Sequence, residues 1–498
     1  MKKFSLAGIG AMLLFGCGAV WAEGISGVVK DDSGKPLRGV LVSAIVGDYA
    51  KNVTVFSQAD GSFKIDGLKG DVHQVRARKY GLEDNFVADV VPGSSNSSGL
   101  AFSMAPAEEP VLQRTADTLL SQLKFDDARD KENFKMYCTY CHQVGTAGFR
   151  APEEPVDWET MITRMDGFGG LEKHVQQTLV ERLHAAYSEE AIEKWPEYDG
   201  PAPVDDEVLS ARITEWDVGY RENITGPRGD DPAAYGEAQL AFMHDLEPGI
   251  HGKFMYGTEG RNGGVVSLDL ETDKLLWHFL DFSPHSLEPD ENGDMWFTLS
   301  GAGQMAKWTI ETNEVVKISS KPGALRGKYP HTLRIAPDTQ FTWYTDAGAN
   351  AVYSIHPDPP YEVTAYELLS ADQAVGGGKG EAQGITPYGL DVAPDGMIWY
   401  AKLNGNRIGR IDPNVEGGDL KEWIPPFRGP RRLHVAKDGI VWVPGWGSGV
   451  LGRFDPETEE WEVFPMPNAI NRLPYAINIH PTTGDIWITG TGSDTLIR

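Results

Sequence analysis

The chain has 498 residues, more than one hydrophobic core accommodates, so two to four domains are expected. Its 45 Lys plus Arg against 72 Asp plus Glu give a formal charge of -27. That charge excludes nucleic acid and other polyanions as partners and leaves a solvated acidic surface, or one that docks a basic redox protein.

Residues 1–22 read as an export signal: Lys2 and Lys3, an apolar run from Phe4 to Phe15, and a small-residue exit at Val20-Trp21-Ala22. The run is too short to span a bilayer as a helix, and no later stretch reaches about twenty apolar residues. A periplasmic protein without a transmembrane segment is expected. Leu14-Phe15-Gly16-Cys17 resembles a bacterial lipoprotein cleavage site, so a lipid anchor at Cys17 on the outer membrane is the alternative. With the signal set aside only Cys138 and Cys141 remain, too few for a disulfide framework.

Residues 24–105 predict a small β-sandwich. Short alternating runs such as Val40-Leu41-Val42 are separated by turn signals at Asp32-Ser33-Gly34-Lys35-Pro36 and Ala59-Asp60-Gly61. Gly34-Lys35-Pro36-Leu37-x-Gly39-Val40 and Asp60-Gly61-x-Phe63-x-Ile65-x-Gly67-Leu68 resemble the carboxypeptidase regulatory-like module. The resemblance implies a spacer or binding appendage and no chemistry. A Ser-, Gly- and Pro-rich linker follows, from Val91 to Pro110.

From 111 to 200 the periodicity is helical, with Leu112, Ala116, Leu119, Leu120 and Leu123 on one face and Val175, Leu179, Leu183 and Ala186 on another, which predicts a small all-α domain. It contains Cys138-Thr139-Tyr140-Cys141-His142, a C-x-x-C-H sequence. Two thiols on one helical turn reach the two vinyl groups of a porphyrin as thioethers, and the adjacent imidazole of His142 supplies the proximal iron ligand, so one covalent haem c is expected. A redox dithiol wants a βαβ setting and zinc wants four ligands; neither context is present. Asn133-Phe134-x-x-x-Cys138 and Trp158-x-x-Met161-Ile162-x-Arg164-Met165 resemble a class of small bacterial cytochrome c domains. That resemblance implies Met165 as the sixth ligand; Met161, His174 and His184 are the other candidates.

Residues 208–498 form a repeat array. Prolines 284, 330, 387, 430 and 474 each open an apolar strand, and a Trp-centred strand follows, at Trp296, Trp343, Trp399, Trp442 and Trp487. The starts lie 46, 57, 43 and 44 residues apart, the spacing of four-stranded propeller blades. A degenerate blade precedes them. Six blades are predicted, with seven as the alternative, and the ring is predicted to close by pairing residues 213–218 with the last blade. Pro387-Tyr388-Gly389-Leu390, Pro394-Asp395-Gly396-x-x-Trp399 and Asn406-Arg407-Ile408-Gly409-Arg410 resemble the streptogramin (virginiamycin B) lyase family. Lyases of that family use a His base and a Glu-held magnesium, with the Glu following a Trp-Phe-Thr strand; here Leu299 and Asp346 stand at that position.

The residues after the blade-start prolines, His285, His331, Tyr388, Arg431 and Tyr475, occupy equivalent positions and are predicted to converge on the central channel. His285 and His331 are candidate bases or ligands of a divalent metal, and Arg431 a candidate anion holder; the alternative is a polar plug between blades. The recurrent Trp residues are expected between blades. Three functions follow: electron transfer through the haem, with a substrate or redox protein bound at the propeller; a metal-dependent C–O lyase; and a non-catalytic binding propeller.

Overall fold

The computed structural model describes residues 24–46, 51–68, 73–114, 118, 120–138, 157–163, 173–201, 203–218, 224–225, 243–260, 263–323, 327–369, 387–467, 473–491 and 495–498. The signal segment with Cys17, the Gly-rich insertion Gly376 to Gly384, and Cys141, His142 and Met165 lie outside them. The chain divides into two compact units, residues 1–110 with 200–220, and residues 111–199 with 221–498.

The first unit is a β-sandwich. One sheet orders strands Ser62–Ile65, Ile25–Asp31 and Leu100–Met104; the other orders Asn85–Val90, His73–Arg78, Leu41–Val46, Lys51–Phe56 and Arg212–Trp216. Alternate residues of the strands point inward, and Val29, Val42, Ala44, Val53, Phe63, Val75 and Phe102 form the shared core. Gly27 has no side chain because the Leu100 carbonyl oxygen lies 2.1 Å from where its Cβ would stand.

The last strand of that sheet corrects the sequence reading. Residues 213–218 do not pair with the final blade: Arg212–Trp216 runs antiparallel to Lys51–Phe56, with Thr214 opposite Val53. The segment is tied there before the strand begins. Arg38 bonds Asp206 and the Val204 carbonyl, both at 2.8 Å, Gln58 reaches the Leu209 carbonyl, and Asp205 caps the turn Asp206–Leu209. An alternating edge strand fits any open sheet edge, and these side-chain anchors decide which edge it takes.

In the second unit the described helices are few: Ala128–Cys138, residues 157–163, Lys173–Tyr187 and Glu189–Glu193. They gather an apolar cluster of Leu120, Leu123, Phe134, Trp158, Ile162 and Leu179, with Cys138 and Met161 packed against it. The rest is a propeller of six sheets among the described residues, each beginning with the strand nearest the channel. Each recurrent Trp of blades two to five packs into the core shared with the following blade: Trp296 with Leu333, Trp343 with Leu390, Trp399 with Leu433, Trp442 with Ile477. The sixth sheet has three strands, ending at Thr495–Ile497.

Candidate functional site at the propeller channel

The innermost strands carry a bulge directly after their start, between Met243 and Leu246, Pro330 and Leu333, Pro387 and Leu390, and Pro474 and Ile477. A bulge breaks side-chain alternation and re-aims one residue. It also takes backbone groups out of the ladder, and threonine hydroxyls of the second strands satisfy them. Thr258 Oγ1 donates to the His285 carbonyl at 2.9 Å, Thr298 to that of His331 at 2.8 Å, and Thr345 to that of Tyr388 at 2.9 Å, each across a blade junction.

At these blade starts His285, His331, Tyr388, Arg431 and Tyr475 come together. Ring centroids of His285 and His331 are 4.5 Å apart, and those of His331 and Tyr388 are 3.8 Å apart. Tyr388 and Tyr475 share a hydroxyl–hydroxyl bond of 2.8 Å, and Arg431 Nη2 donates to Tyr388 Oη at 2.9 Å. Two members escaped the sequence reading. His244, 3.6 Å from the His285 ring, opens a blade whose start lacks the proline signal. Trp446, from the turn after the second strand of blade five, lies 3.9 Å from the Arg431 guanidinium.

Two guanidiniums, Arg431 and Arg432, act on this ring. Burial, then the charge of Arg432, pulls His244 down to about 4 despite Asp245. Burial, with its neighbouring imidazoles and Arg432, holds His285 and His331 well below the usual histidine range. The three imidazoles are therefore neutral near pH 7. His244 Nδ1, 2.9 Å from the His285 carbonyl, carries its proton there, while His285 Nδ1 is buried with no hydrogen-bond partner among the described residues. Burial alone would raise Tyr475, but Arg431 and Arg432 outweigh it and hold that phenol below its ordinary range.

Three residues further along the same strands lies a second set, Glu247, Glu288, Arg334, Asp391 and His434, which the sequence reading passed over. Its signal was the charged residue after each blade-start leucine: Leu246-Glu247, Leu287-Glu288, Leu333-Arg334, Leu390-Asp391, Leu433-His434. Arg334 lies 3.8 Å from Glu247, 3.4 Å from Glu288 and 3.7 Å from Asp391, so one guanidinium serves three acidic side chains from three other blades.

Two carboxylates occupy the position that follows the Trp-Phe-Thr strand. Asp346 is fully buried, and its oxygens accept the amides of Lys328, Tyr329 and Gly348 at 2.7–3.0 Å. Glu259, after Thr258 in blade one, is fully buried and was missed because that blade has Tyr256 in place of Trp. Among the described residues no group of three or more His, Cys, Asp or Glu is placed to hold a metal ion.

Of the residues expected to hold haem, Cys138 is described, on the helix Ala128–Cys138. Burial pushes its thiol up to about 12. Cys141, His142 and Met165 lie outside the described residues, as does the side chain of His174. Trp158 is fully buried in the same cluster, and its Nε1 has no partner among the described residues. The Cys138 helix meets the propeller through a buried bond in which Trp446 Nε1 donates to the Lys135 carbonyl at 3.2 Å.

Comparison with known proteins gives two results. Residues 24–105 match the carboxypeptidase regulatory-like domain family. The propeller is similar to virginiamycin B lyases. A virginiamycin B lyase of Nocardia farcinica (strain IFM 10152) is 25% identical over 129 residues, 26% of this chain and 37% of that relative's length. Among solved structures, the virginiamycin B lyase of Staphylococcus aureus is 20% identical, with 51% of this chain and 79% of that chain covered and a TM-score of 0.43. A streptogramin B lyase is 17% identical over 51% of this chain and 91% of its own, with a TM-score of 0.34.

Proposed function

We propose that this chain is an exported, periplasmic electron-transfer protein carrying one covalent c-type haem. In this reading Cys138 and Cys141 form the thioethers and His142 and Met165 are the axial ligands of the iron. The propeller binds a small-molecule substrate or a redox partner at its channel ring, and a lipid anchor at Cys17 is the alternative to a free periplasmic form.

The observation that carries the reading is the place of Cys138, the first residue of C-x-x-C-H, on a helix and against an apolar cluster. A thiolate is disfavoured there, because burial raises the thiol to about 12. That suits neither a redox dithiol nor a zinc ligand, whereas a neutral thioether is at home in it. The buried N–H of Trp158 is a donor of the kind a haem propionate accepts from. Haem, when bound, supplies reversible one-electron chemistry. The chain's own residues keep three neutral imidazoles and two guanidiniums in the channel, an environment that favours an anionic or phenolic ligand.

The test is a pyridine haemochrome assay on full-length protein matured in a periplasm competent for cytochrome c assembly. One haem per chain is expected, with a single thioether in Cys138→Ala or Cys141→Ala. Wild-type protein without covalent haem overturns the reading.

A metal-dependent C–O lyase is the second reading, favoured by one observation: Glu259 is buried at the position where the lyase resemblance places a metal-holding Glu. Asp346, at the same position in blade three, is already engaged by three amides. Ring opening of virginiamycin B with magnesium by the wild type, abolished in Glu259→Gln, would favour it.

A further inference from the structure

Directly after the ring residues, the six innermost strands carry Asp245, Ser286, Thr332, Gly389, Arg432 and Ala476. Four of these side chains are small, and Arg432 is the one long cation among them. The acidic side chain paired with it here is Asp245, with Arg432 Nη1 3.9 Å from Asp245 Oδ1. Arg432 belongs to blade five and Asp245 to blade one. Blade six lies between them in ring order and contributes only the methyl group of Ala476. The other Asp245 oxygen is taken, accepting the Ser286 hydroxyl at 2.6 Å.

This leaves Arg432 short of acceptors. Its side chain is only 10% exposed, 3.9 Å is beyond hydrogen-bond reach, and its Nε is buried with no hydrogen-bond partner among the described residues. A guanidinium carries five donors and keeps its charge at any physiological pH, so burying one without acceptors is costly. His285 Nδ1, on the neighbouring side of Asp245, is buried without a partner as well. The charges are unequal too: Asp245 opposes both Arg431 and Arg432 at His244, and again at Tyr475. A single negative charge from a ligand would balance that pair.

The approach to Arg432 is aromatic. His244, Asp245, His285, Tyr475 and Ala476 are all partly exposed, so solvent reaches the ring on the side of blades six, one and two. Tyr329, 40% exposed, meets His285 edge-on with centroids 5.8 Å apart, and the Tyr475 ring lies 5.6 Å from the Arg432 guanidinium. Four rings around one cation suit a flat aromatic body with an anionic end, because rings gain from each other's faces and edges what an aliphatic chain does not.

We propose that this mouth of the channel is a binding site for a small aromatic carboxylate, whose anionic end is held by Arg432 and whose ring lies among His244, His285, Tyr329 and Tyr475. This deepens the reading of the propeller as the ligand-binding part of the chain and is independent of the haem.

The experiment is isothermal titration calorimetry of full-length protein at pH 7 and constant ionic strength, with sodium benzoate, the neutral benzamide, and sodium acetate, which lacks the ring. Wild type is compared with Arg432→Gln, which removes the charge and keeps an amide beside Asp245, and with Ala476→Leu, which keeps Arg432 and fills the place between it and Asp245. Circular dichroism checks that each variant folds, and haem content is measured on the same wild-type sample. We expect one saturable benzoate site, none for benzamide, and acetate weaker than benzoate by about tenfold or more; each variant weakens benzoate by about tenfold or more. A wild type without a saturable benzoate site overturns the proposal, as does an unchanged benzoate affinity in folded Arg432→Gln. Benzamide binding as tightly as benzoate overturns the part given to charge, and acetate doing so overturns the aromatic class. If Arg432→Gln fails to fold, Ala476→Leu decides by the same criterion. Haem-loaded protein that ignores benzoate overturns this proposal alone, whereas haem-free protein that binds benzoate through Arg432 overturns the haem reading and leaves this one standing.

Discussion

Thr298 sits at the junction of blades two and three with both faces of its hydroxyl in use: it donates to the His331 carbonyl at 2.8 Å and accepts the Ser286 amide at 2.9 Å. Ser286 belongs to its own blade and His331 to the next, so one hydroxyl repairs the bulge of one blade and fastens the ring residue of the other. Thr345 repeats the arrangement toward Tyr388, with the Thr332 amide as its donor.

Replacing that hydroxyl with a methyl is therefore costly out of proportion to its size. Thr298→Val leaves a buried amide and a buried carbonyl without their partner, and each such group costs about 1–3 kcal/mol. We expect a loss of about 2 kcal/mol in unfolding free energy by urea titration, with an unchanged slope. A variant as stable as wild type would show that the hydroxyl bonds are not part of what holds the blades together.

Gly389 does the same job by a different device. The second strand of blade four has Ala401 where blades one, two, three and six have threonine, and the bond to Arg431 comes from the backbone instead, Gly389 N–H to the Arg431 carbonyl at 3.0 Å. A Cβ at residue 389 would stand 2.6 Å from Arg432 Cα and 2.7 Å from the Arg431 oxygen, both backbone atoms that cannot swing away. Gly389→Ala is expected to cost about 1–3 kcal/mol by overpacking. It should also displace Arg431 from Trp446, read as a change in indole fluorescence. Unaltered stability and emission would contradict this.

The same pair of devices explains what the sequence disclosed. Proline-led blade starts and their Trp strands repeat often enough to reveal the propeller and five of the ring residues. His244 stayed hidden because its blade opens with Met243, and Trp446 because a single aromatic in a glycine-rich turn carries no period. The strand Arg212–Trp216 was assigned to the wrong sheet for a physical reason. Its alternation says only that it lies at an edge, and the anchors that choose the edge, Arg38 and Gln58, are more than 140 residues away.

Stability should fall as pH rises through neutrality, because of Glu288. Burial, aided by Glu247 and Asp391 and opposed by Arg334, pushes its carboxyl up to about 8. The ordinary value in an unfolded chain is about 4.3. The folded state therefore holds the proton more tightly. The stability this confers is fully present below about pH 4.3 and is lost as pH climbs toward 8. Glu288→Gln cannot titrate, so the denaturation midpoint of wild type relative to this variant should drop steadily between pH 5 and pH 8. Parallel curves for the two proteins would exclude Glu288 as the titrating group.

Lys402 and Glu422 give the sharpest test of what buried charge does in this propeller. Lys402 Nζ lies 2.5 Å from Glu422 Oε1, with side-chain exposures of 1% and 6%. Tyr400 Oη donates to the same oxygen at 2.8 Å, and Arg407 lies 3.7 Å from the other. Burial lowers Lys402 from the ordinary lysine range, and the attraction of Glu422 does not fully restore it. The ammonium is thus less stable here than in water, and the pair returns less than its desolvation costs. Removing one partner differs in sign from removing both. Lys402→Met leaves Glu422 buried with Tyr400 and the more distant Arg407, and is expected to lose about 3–5 kcal/mol. Lys402→Met with Glu422→Gln keeps an acceptor for Tyr400 and buries no charge, and should recover most of that loss or exceed wild type. Urea unfolding of the two variants beside Glu422→Gln completes a double-mutant cycle. If the double variant is no more stable than Lys402→Met alone, the pair is a net source of stability that outweighs its desolvation. A double variant more stable than wild type would mean that the pair is kept at a cost in stability.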